Sequence, residues 1–403
     1  MTSRTAQPAA VPPGWTLVCL CSAAFLVFVQ TFMVAPLIPR LSQALLTTTD
    51  WVGLAVPAYI VPEALATLAV GPLSDRIGRR GVIIGCLCAF IILTAATATA
   101  TGIQAFIGWR IATGIAAAGI VPIGLTLIGD LFPFNQRGRA VGWLFGAIAG
   151  GTAAGAAVGA LLEPVVGWRG LFLAVAALSA LLLVAMLTAH ALPRSALPAQ
   201  PSRWREVLRG YGRLLSHARG QRTYAYVFLN AVLQSGVFTW LGVYLHQRFG
   251  LTETGIGLTL LGYGIPGLLF GPIIGRFADR HGRAFIIPAG VALTGLCALA
   301  LAAPLELVAV QVAVILLSLG FDLTHPQLAA ITTDLGGGRG QSVALMAFSL
   351  FSGFGIGSLV FQAALAYGFG AALVSFGVAA LLAATLAAHL FRSERRRPPA
   401  AVH

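Results

Sequence analysis

The chain has 403 residues, of which 58% are hydrophobic and only 9% are charged, whereas soluble domains carry about 25% charged residues. The net charge of +13 does not indicate nucleic-acid binding, because the 25 Lys and Arg residues are all arginines, nearly all of them in interhelical loops, the central linker and the tails, without a basic patch interleaved with aromatics. We therefore predict an all-α membrane protein, in which the five cysteines are small buried hydrophobes and hold neither disulfides nor a metal.

Twelve apolar stretches are long enough to cross a hydrocarbon core of about 30 Å as helices. The predicted helices, numbered 1 to 12, are 15–38, 51–72, 82–100, 103–129, 140–162, 168–190, 223–246, 255–275, 284–303, 306–330, 341–366 and 370–391. The long break after helix 6 predicts a tail (1–14), a six-helix bundle (15–190), a linker (191–222), a second six-helix bundle (223–391) and a second tail (392–403).

The arginines are distributed unequally between the two sides of this bundle. With the N-terminus in the cytoplasm, 21 of the 25 lie on the inner side, and only Arg40, Arg169 and Arg248 lie outside, while Arg110 is within helix 4. The positive-inside rule then places both termini in the cytoplasm. In the linker, residues 204–215 have the spacing of an amphipathic helix that lies on an anionic inner leaflet, and a flexible basic tether is the alternative.

The two halves are related by an internal repeat with an offset of 204 residues. Residues 71–79 (GPLSDRIGR) align with residues 275–283 (GRFADRHGR), and five of the nine are identical. The same offset pairs Gln30 with Gln234, Tyr59 with Tyr263, Pro62 with Pro266, Pro122 with Pro326, and Asp130 with Asp334. Parallel repeats of this kind are a transporter architecture, in which substrate binds near the midplane between the halves.

These features resemble the major facilitator superfamily, because residues 71–80 match its signature after helix 2 and the second half repeats that signature. Pro36 and Pro39 at the end of helix 1, Arg110 with Gly114 in helix 4, and residues 168–172 resemble the twelve-helix drug–proton antiporter branch. Helix 5 departs from that branch, since Ala156 replaces the proline of its Gly-Pro pair. The resemblance implies two pseudo-symmetric six-helix bundles.

The charged residues of the repeated loops are predicted to form two conformational latches. Asp75 is placed to cap a neighbouring helix, while Arg76 or Arg79 pairs with Asp130. The resemblance implies that the capped helix is helix 11, and that the second latch acts against helix 5. The alternative is that these charges only set the topology. The predicted latch residues are Gly71, Asp75, Arg76, Gly78, Arg79, Asp130, Gly275, Asp279, Arg280, Gly282, Arg283 and Asp334.

Four ionisable residues inside the predicted helices are candidates for proton coupling. Glu63 in helix 2 is a proton-carrier candidate, because an acid at this depth is costly, and a packing ion pair with Arg110 is the alternative. Asp322 and His325 share one face of helix 10 and are read either as a proton or substrate site or as a satisfied hydrogen-bonded pair. The repeat aligns Glu63 with Gly267 and Asp322 with Ala118, so coupling is expected to depend mainly on the first half.

Polar and aromatic side chains in the middle of helices 1, 2, 7 and 8 are candidates for the substrate cavity, with interhelical contacts as the alternative. They are Gln30, Thr31, Tyr59, Asn230, Gln234, Ser235, Phe238, Trp240 and Tyr263. Small-residue spacing at Gly146, Gly150, Gly151, Gly155 and Gly159 in helix 5, and at Gly353, Gly355 and Gly357 in helix 11, is interpreted as rocking interfaces.

Phosphate-binding loops, nucleophile motifs and metal-ligand clusters are missing from the sequence, so we expect no enzyme, no cofactor and no metal. The sequence favours proton-coupled export of a small amphipathic molecule from a bacterial inner membrane, by a monomer that uses the proton gradient. Uptake of a metabolite or sugar by symport or uniport stays open. A membrane receptor or enzyme on the same scaffold is the alternative of another class.

Overall fold

The computed structural model describes residues 13–132, 134–193, 204–333, 335 and 339–394, and these form helices and turns without a strand. The first half contains α1 (Pro13–Phe32, followed by Ile38–Ala44), α2 (Pro57–Ile77), α3 (Arg79–Thr97), α4 (Ile103–Ala117 and Ile120–Leu131), and α5 and α6 within Phe134–Thr188. The second half contains α7 (Ala218–Phe249), α8 (Glu253–Leu261 and Ile265–His281), α9 (Ile286–Ala302), α10 (Leu307–Thr333), α11 (Arg339–Ala364) and α12 (Phe369–Leu390).

The described residues contain ten helices that are long and apolar enough to cross a membrane. One of them, Ala140–Thr188, is broken at Gly167, whose φ of 68° suits glycine, and it therefore supplies both α5 and α6. The shorter apolar helix Ile286–Ala302 completes twelve. Large apolar side chains such as Ile92, Leu181 and Leu382 are exposed on the outside of the bundle, as a lipid solvent requires. The predicted all-α membrane fold is confirmed.

Four of the membrane-crossing segments are interrupted in the middle of the bundle. The breaks lie at residues 33–34 after the main part of α1, at 54–56 between the short helix Thr49–Gly53 and α2, at 118–119 in α4, and at 262–264 in α8. A break frees backbone carbonyls from the helical hydrogen-bond ladder, and within a membrane such groups need partners inside the protein. The breaks before α2 and after α1 provide carbonyl acceptors for the buried site described below.

The glycines of α5 pack in two directions, which corrects the prediction that the whole row is a rocking interface. A Cβ atom at Gly151 or Gly155 would lie 2.5–2.6 Å from a backbone oxygen of α1, and one at Gly159 would lie 2.3 Å from the carbonyl oxygen of Met33, which follows α1 in the same half. Gly146 faces the other half, since a Cβ there would lie 3.6 Å from the carbonyl oxygen of Gly267 in α8. Helical spacing predicts close packing, but it does not identify the partner helix.

The contacts between the halves run along α2 with α11 and along α5 with α8. Small residues form both contacts: a Cβ at Gly355 would lie 2.4 Å from the Val61 side chain, and one at Gly267 would lie 2.7 Å from the Cβ of Ala149. Gly353 and Gly357 instead face α7 within the second half. Gly146 and Gly355 therefore lie between the halves, as does Gly150, whose Cα would lie 3.6 Å from a Cβ at Gly264. That the halves rock at these positions stays a prediction.

The linker contains a helix, Trp204–Ser216, that lies against the arginine-rich end of the bundle and contacts both halves. The Tyr211 hydroxyl donates a hydrogen bond to the Leu68 carbonyl of α2 (3.2 Å), and Gly210 lies directly against the Gln341 side chain of α11. This part of the linker is therefore a docked helix and not a flexible tether. Whether its exposed face, which includes Leu208 and Arg209, contacts lipid stays a prediction.

The C-terminal segment that follows α12 is bound to the second half through Glu394. Its carboxylate accepts hydrogen bonds from Arg219 (2.8 and 2.9 Å) and from Arg222, and its carbonyl accepts one from the Arg283 backbone N–H (3.1 Å). Burial alone would raise the pKa of the Glu394 carboxyl, but the hydrogen bonds and charges of the two arginines outweigh burial and hold this pKa below its usual value.

We expect the Glu394 carboxylate to stabilise the fold only while it is ionised. Because its pKa is lower in the folded protein, the stabilisation is fully present above the unfolded pKa, about 4.3, and is lost as the pH falls through the folded value. Thermal unfolding of wild type and Glu394→Gln between pH 3 and pH 7 measures this. The difference between them should be constant above about pH 5 and should shrink at acidic pH. The matched variant Glu306→Gln changes an exposed glutamate and should differ little from wild type.

Candidate functional site

A small cavity lies between the halves near the middle of the bundle. It is bordered by five aromatic rings, four polar side chains, one carboxylate and two aliphatic residues. The lining residues are Phe32, Ile148, Ala149, Thr152, Gln234, Ser235, Phe238, Tyr263, Ser318, Phe321, Asp322 and Phe354. Four of the nine predicted cavity residues, namely Gln234, Ser235, Phe238 and Tyr263, therefore border it. The second half supplies both the acid and most of the polar groups.

Arg110 is the centre of a buried polar cluster in the first half and is 0% exposed. Its guanidinium donates to the carbonyl oxygens of Ala55 (3.0 Å), Gln30 (3.3 Å) and Thr31 (3.1 Å), and to Gln30 Oε1 (2.9 Å). It also lies over the Tyr59 ring, 4.5 Å from the centroid. Gln30, Thr31 and Tyr59 thus hold Arg110 instead of bordering the cavity.

The two halves use equivalent positions differently. In the first half Arg110 occupies the Gln30 side-chain oxygen, whereas in the second half the equivalent position is Val314, and neither amide atom of Gln234 has a hydrogen-bond partner. Gln234 is 2% exposed and borders the cavity. In the first half, therefore, Arg110 binds the repeated glutamine, whereas in the second half the equivalent glutamine borders the cavity.

The two buried acids lie at equivalent levels, on opposite members of a helix pair. In the first half α2 and α4 contact each other with an offset of 55 residues, as the approach of Gly114 to the Tyr59 carbonyl shows, and this register places Glu63 level with Ala118. In the second half the same offset joins Gly267 to Asp322, since a Cβ at Gly267 would lie 3.1 Å from both carboxylate oxygens. Each half therefore carries one buried acid at this level, although alignment by sequence pairs neither acid with another, because it compares single helices and not helix pairs. The expectation that coupling depends mainly on the first half stays a prediction.

Neither acid makes the contact proposed as its structural alternative. Glu63 is 2% exposed, its Oε1 has no hydrogen-bond partner, and no ion pair joins it to Arg110, whose donors are used elsewhere. Asp322 Oδ2 accepts a hydrogen bond from Ser318 (3.2 Å) and none from His325. The His325 ring stacks on Phe321 at 4.9 Å and meets Phe145 of the other half edge-on at 5.4 Å. Both of its ring nitrogens are buried without a partner.

Two predicted cavity residues lie elsewhere. Trp240 donates its indole N–H to the Ser358 carbonyl (3.2 Å) and packs against Gly53 of the first half, where it helps to close the end opposite the arginines. Asn230 is 1% exposed, and its side-chain amide has no partner, but it does not border the cavity. Both residues are buried, as predicted for polar groups of a membrane helix.

Part of the predicted first latch, in the loop after α2, lies within the described residues. Arg79 forms an ion pair with Asp130 at the end of α4, which is one of the two pairings expected. Gly78 and Gly282 have φ values of 90° and 84°, so both repeated loops need glycine there, whereas Gly275 has open space around it. Arg76 lies in the last turn of α2, and Gly71 lies earlier in the same helix, where its carbonyl accepts a hydrogen bond from Ser74 (2.7 Å).

The remaining latch residues fall outside the description. The side chains of Asp75, Asp279 and Arg280, and the whole of Asp334, lie outside the described residues, and Arg283 is described through its backbone bond to Glu394. The capping of α11 and the second latch therefore stay predictions.

The cavity also contains residues that were not predicted. Phe32, Phe321 and Phe354 border it, but the sequence alone does not indicate whether a phenylalanine on a membrane helix faces lipid or protein. Ser318 is different, since it aligns with Gly114 at the level of Tyr59 and Tyr263. Its polar side chain, at the depth that the repeat assigns to the two tyrosines, could therefore have identified Ser318 as a cavity residue.

Comparisons with known proteins agree with this architecture. The profile described as Major Facilitator Superfamily matches residues 20–358 and, separately, 247–402. The chain is 25% identical to the uncharacterized MFS-type transporter YwfA of Bacillus subtilis over 85% of this chain and 84% of that one. It is also 25% identical to a chloramphenicol resistance protein of Streptomyces lividans over 82% and 83% of the two chains.

Solved structures share the fold. The crystal structure of the human organic anion transporter MFSD10 superposes with a TM-score of 0.75, and covers 94% of this chain and 100% of its own. The sequence identity is 19%, so the likeness concerns the fold alone.

Proposed function

We propose that this chain, which belongs to the Major Facilitator Superfamily, is a proton-coupled exporter of small amphipathic compounds. It is a multi-pass membrane transporter and not an enzyme. In the proposal it resides in a bacterial inner membrane with both termini in the cytoplasm, acts as a monomer, and draws its energy from the proton gradient. The chloramphenicol resistance protein among its relatives supports export.

The observation that carries the proposal is the placement of two buried acids at one level of the two halves, of which one borders the cavity. Asp322 borders the cavity, while Glu63 lies at the equivalent level of the first half, beside the Arg110 cluster. An ionised side chain at the centre of a membrane costs on the order of 2.5–3.5 kcal/mol, so taking up or releasing a proton at Glu63 changes the relative energies of conformations that bury it differently. Such a dependence is what coupling requires.

Alternating access supplies the movement. Small residues between α5 and α8 and between α2 and α11 allow the halves to shift against each other, and the ends opposite the arginines are in contact through Trp240 and Gly53. In the proposal Arg79 and Asp130 stabilise one of the alternating states. Substrate enters the cavity from the cytoplasm, and a proton taken up from the other side resets the transporter.

Import by symport or uniport is the second candidate, because Ala156 replaces the proline of the antiporter signature in helix 5. In the structure Ala156 is fully buried. Direction separates the two candidates, since an exporter moves substrate and protons oppositely and a symporter moves them together.

The test is transport in proteoliposomes with an imposed pH gradient, using chloramphenicol and a panel of small amphipathic compounds. We expect at least one compound to move against the proton flow, and Glu63→Gln to abolish the dependence on the gradient. Glu306→Gln, an exposed glutamate, is the matched control and should transport as wild type does. Movement of compound and protons in the same direction would establish import, and full coupling in Glu63→Gln would exclude Glu63 as the carrier.

The Arg79–Asp130 pair should affect transport more than stability. It is partly exposed, and exposed ion pairs contribute about 0.2–1 kcal/mol, so charge reversal at either residue should change thermal stability little. We expect Arg79→Asp and Asp130→Arg each to lower the transport rate several-fold, and the double variant to recover it. Arg80→Asp changes the adjacent charge and is the control. Failure of the double variant to exceed the single ones would contradict a specific pair.

A further inference from the structure

The cavity between the halves is one-sided in charge. Among the described residues that line it, Asp322 is the one ionisable acid or base apart from the Tyr263 phenol, and none is an arginine or a histidine. Arg110 is tied to four oxygens inside the first half, and His325 stands behind Phe321. A bound molecule therefore meets a carboxyl group without a basic group beside it.

We propose that this cavity, widened when the two halves move apart, binds an aromatic compound carrying a single positive charge, with the Asp322 carboxylate as its counter-ion. The inference rests on the proposed function only in taking the cavity as the site of the transported compound. It adds the charge and the shape class of that compound.

The surroundings of Asp322 fit a counter-ion. Its side chain accepts one hydrogen bond, from Ser318, and its oxygens lie against Gly267, where the lack of a side chain leaves them room. A buried carboxylate with so few partners is stabilised by a cation and repels an anion, because a low-dielectric interior screens charges weakly. The cavity thus favours positively charged ligands over negatively charged ones.

The aromatic walls fit the rest of such a ligand. The rings of Phe238 and Tyr263 lie 4.2 Å apart at 47°, and Phe32 meets Phe238 and Phe354 edge-on at 5.5 and 6.2 Å. Ring faces attract cations, and tilted rings accept a further ring by stacking or edge contacts. They come from both halves, so a bound ring would contact both at once.

The unpartnered amide of Gln234 adds a polar contact. Both of its side-chain heteroatoms are buried without a hydrogen-bond partner at the cavity wall. A buried amide without partners costs free energy, which a ligand with a donor or an acceptor relieves. An aromatic amine with one further polar group would satisfy both Asp322 and Gln234.

The test is equilibrium binding to the purified full-length chain in detergent at neutral pH, without any gradient, by titration calorimetry. Two single-ring probes of opposite charge are compared, benzyltrimethylammonium and 4-hydroxybenzoate. We expect wild type to bind the cation at least about tenfold more tightly than the anion, and Asp322→Asn to weaken cation binding by about tenfold or more. Asp50→Asn makes the same chemical change at an exposed position and should leave both affinities unaltered.

The comparison of probes on wild type tests the proposal even if the Asp322 variant does not fold. Equal or tighter binding of 4-hydroxybenzoate overturns it, as does an absence of benzyltrimethylammonium binding. Unchanged cation affinity in a folded Asp322→Asn protein overturns the role of Asp322. Because no gradient is present, these results are independent of whether transport is coupled to protons, which the proteoliposome experiment decides.

Discussion

Replacing Arg110 with glutamine is expected to abolish transport and to lower thermal stability markedly. The fully buried guanidinium satisfies three backbone carbonyls and the Gln30 side chain, and a shorter neutral amide reaches few of these groups. Each buried group left without a partner costs about 1–3 kcal/mol, and removal of one member of a buried charge cluster costs about 3–5 kcal/mol. Proteoliposome transport and thermal unfolding in detergent measure the two effects.

Two further variants separate the causes. Arg110→Lys retains the charge but lacks the planar fork that bridges α1, α2 and α4, so we expect it to lose most of the transport as well. Arg169→Gln removes two arginine–carbonyl bonds, to Ala98 (3.1 Å) and Ala100 (2.9 Å), from a side chain that is itself exposed, and should have a smaller effect than Arg110→Gln. Wild-type transport by Arg110→Gln would show that the cluster is dispensable.

The fold was predictable because the features that determine it can be read along the sequence without knowing which way each side chain points. Hydropathy set the helices, arginine placement set the proposed topology, and the 204-residue repeat related the halves, each independently of the side-chain directions. The interruptions at residues 54–56 and 118–119 were not predicted, since both lie within or beside continuous apolar stretches. They arise where backbone carbonyls or close helix contacts are needed inside the bundle.

The sequence repeat predicted the depth in the membrane at which the site lies, but not which of the repeated side chains border the cavity. The repeat located Gln30 with Gln234, and Tyr59 with Tyr263, at one depth. Which member of each pair borders the cavity depends on whether an arginine side chain fills the space in front of it, and that requires the three-dimensional arrangement of α1, α2 and α4.

The placement of the acids shows the same limit. Compared helix by helix, Glu63 and Asp322 have no counterparts, yet Asp322 lies against Gly267, the residue that the repeat aligns with Glu63. A pseudo-symmetric protein can thus keep an acid at one level of both halves by carrying it on either helix of a contacting pair. Such an exchange is invisible to alignment and becomes visible once helix contacts are known.

Replacing Gly114 with alanine is expected to disrupt the Arg110 cluster, although Gly114 is not itself one of the residues that bind Arg110. A Cβ atom there would lie 2.0 Å from the carbonyl oxygen of Tyr59, so α2 and α4 would have to separate. Glycine to alanine in a helix interior normally stabilises by about 0.5–1 kcal/mol, whereas overpacking costs about 1–3 kcal/mol, and a clash with backbone cannot be relieved by a rotamer change. We therefore expect Gly114→Ala to unfold at lower temperature than wild type and to transport poorly.

The matched control lies in the same helix. A Cβ at Gly108 would contact nothing within 4 Å, so Gly108→Ala should be neutral or slightly stabilising and should transport normally. The opposite signs of the two substitutions are the informative result, because helix propensity alone predicts the same sign for both. Since Arg110 lies one turn from Gly114, the clash would also lengthen its bond to the Ala55 carbonyl, so transport should fall further than stability alone accounts for. Equal stability of the two variants would show that α2 and α4 are less closely packed than the structure indicates, and it would remove the contact that fixes their register at the level of Glu63.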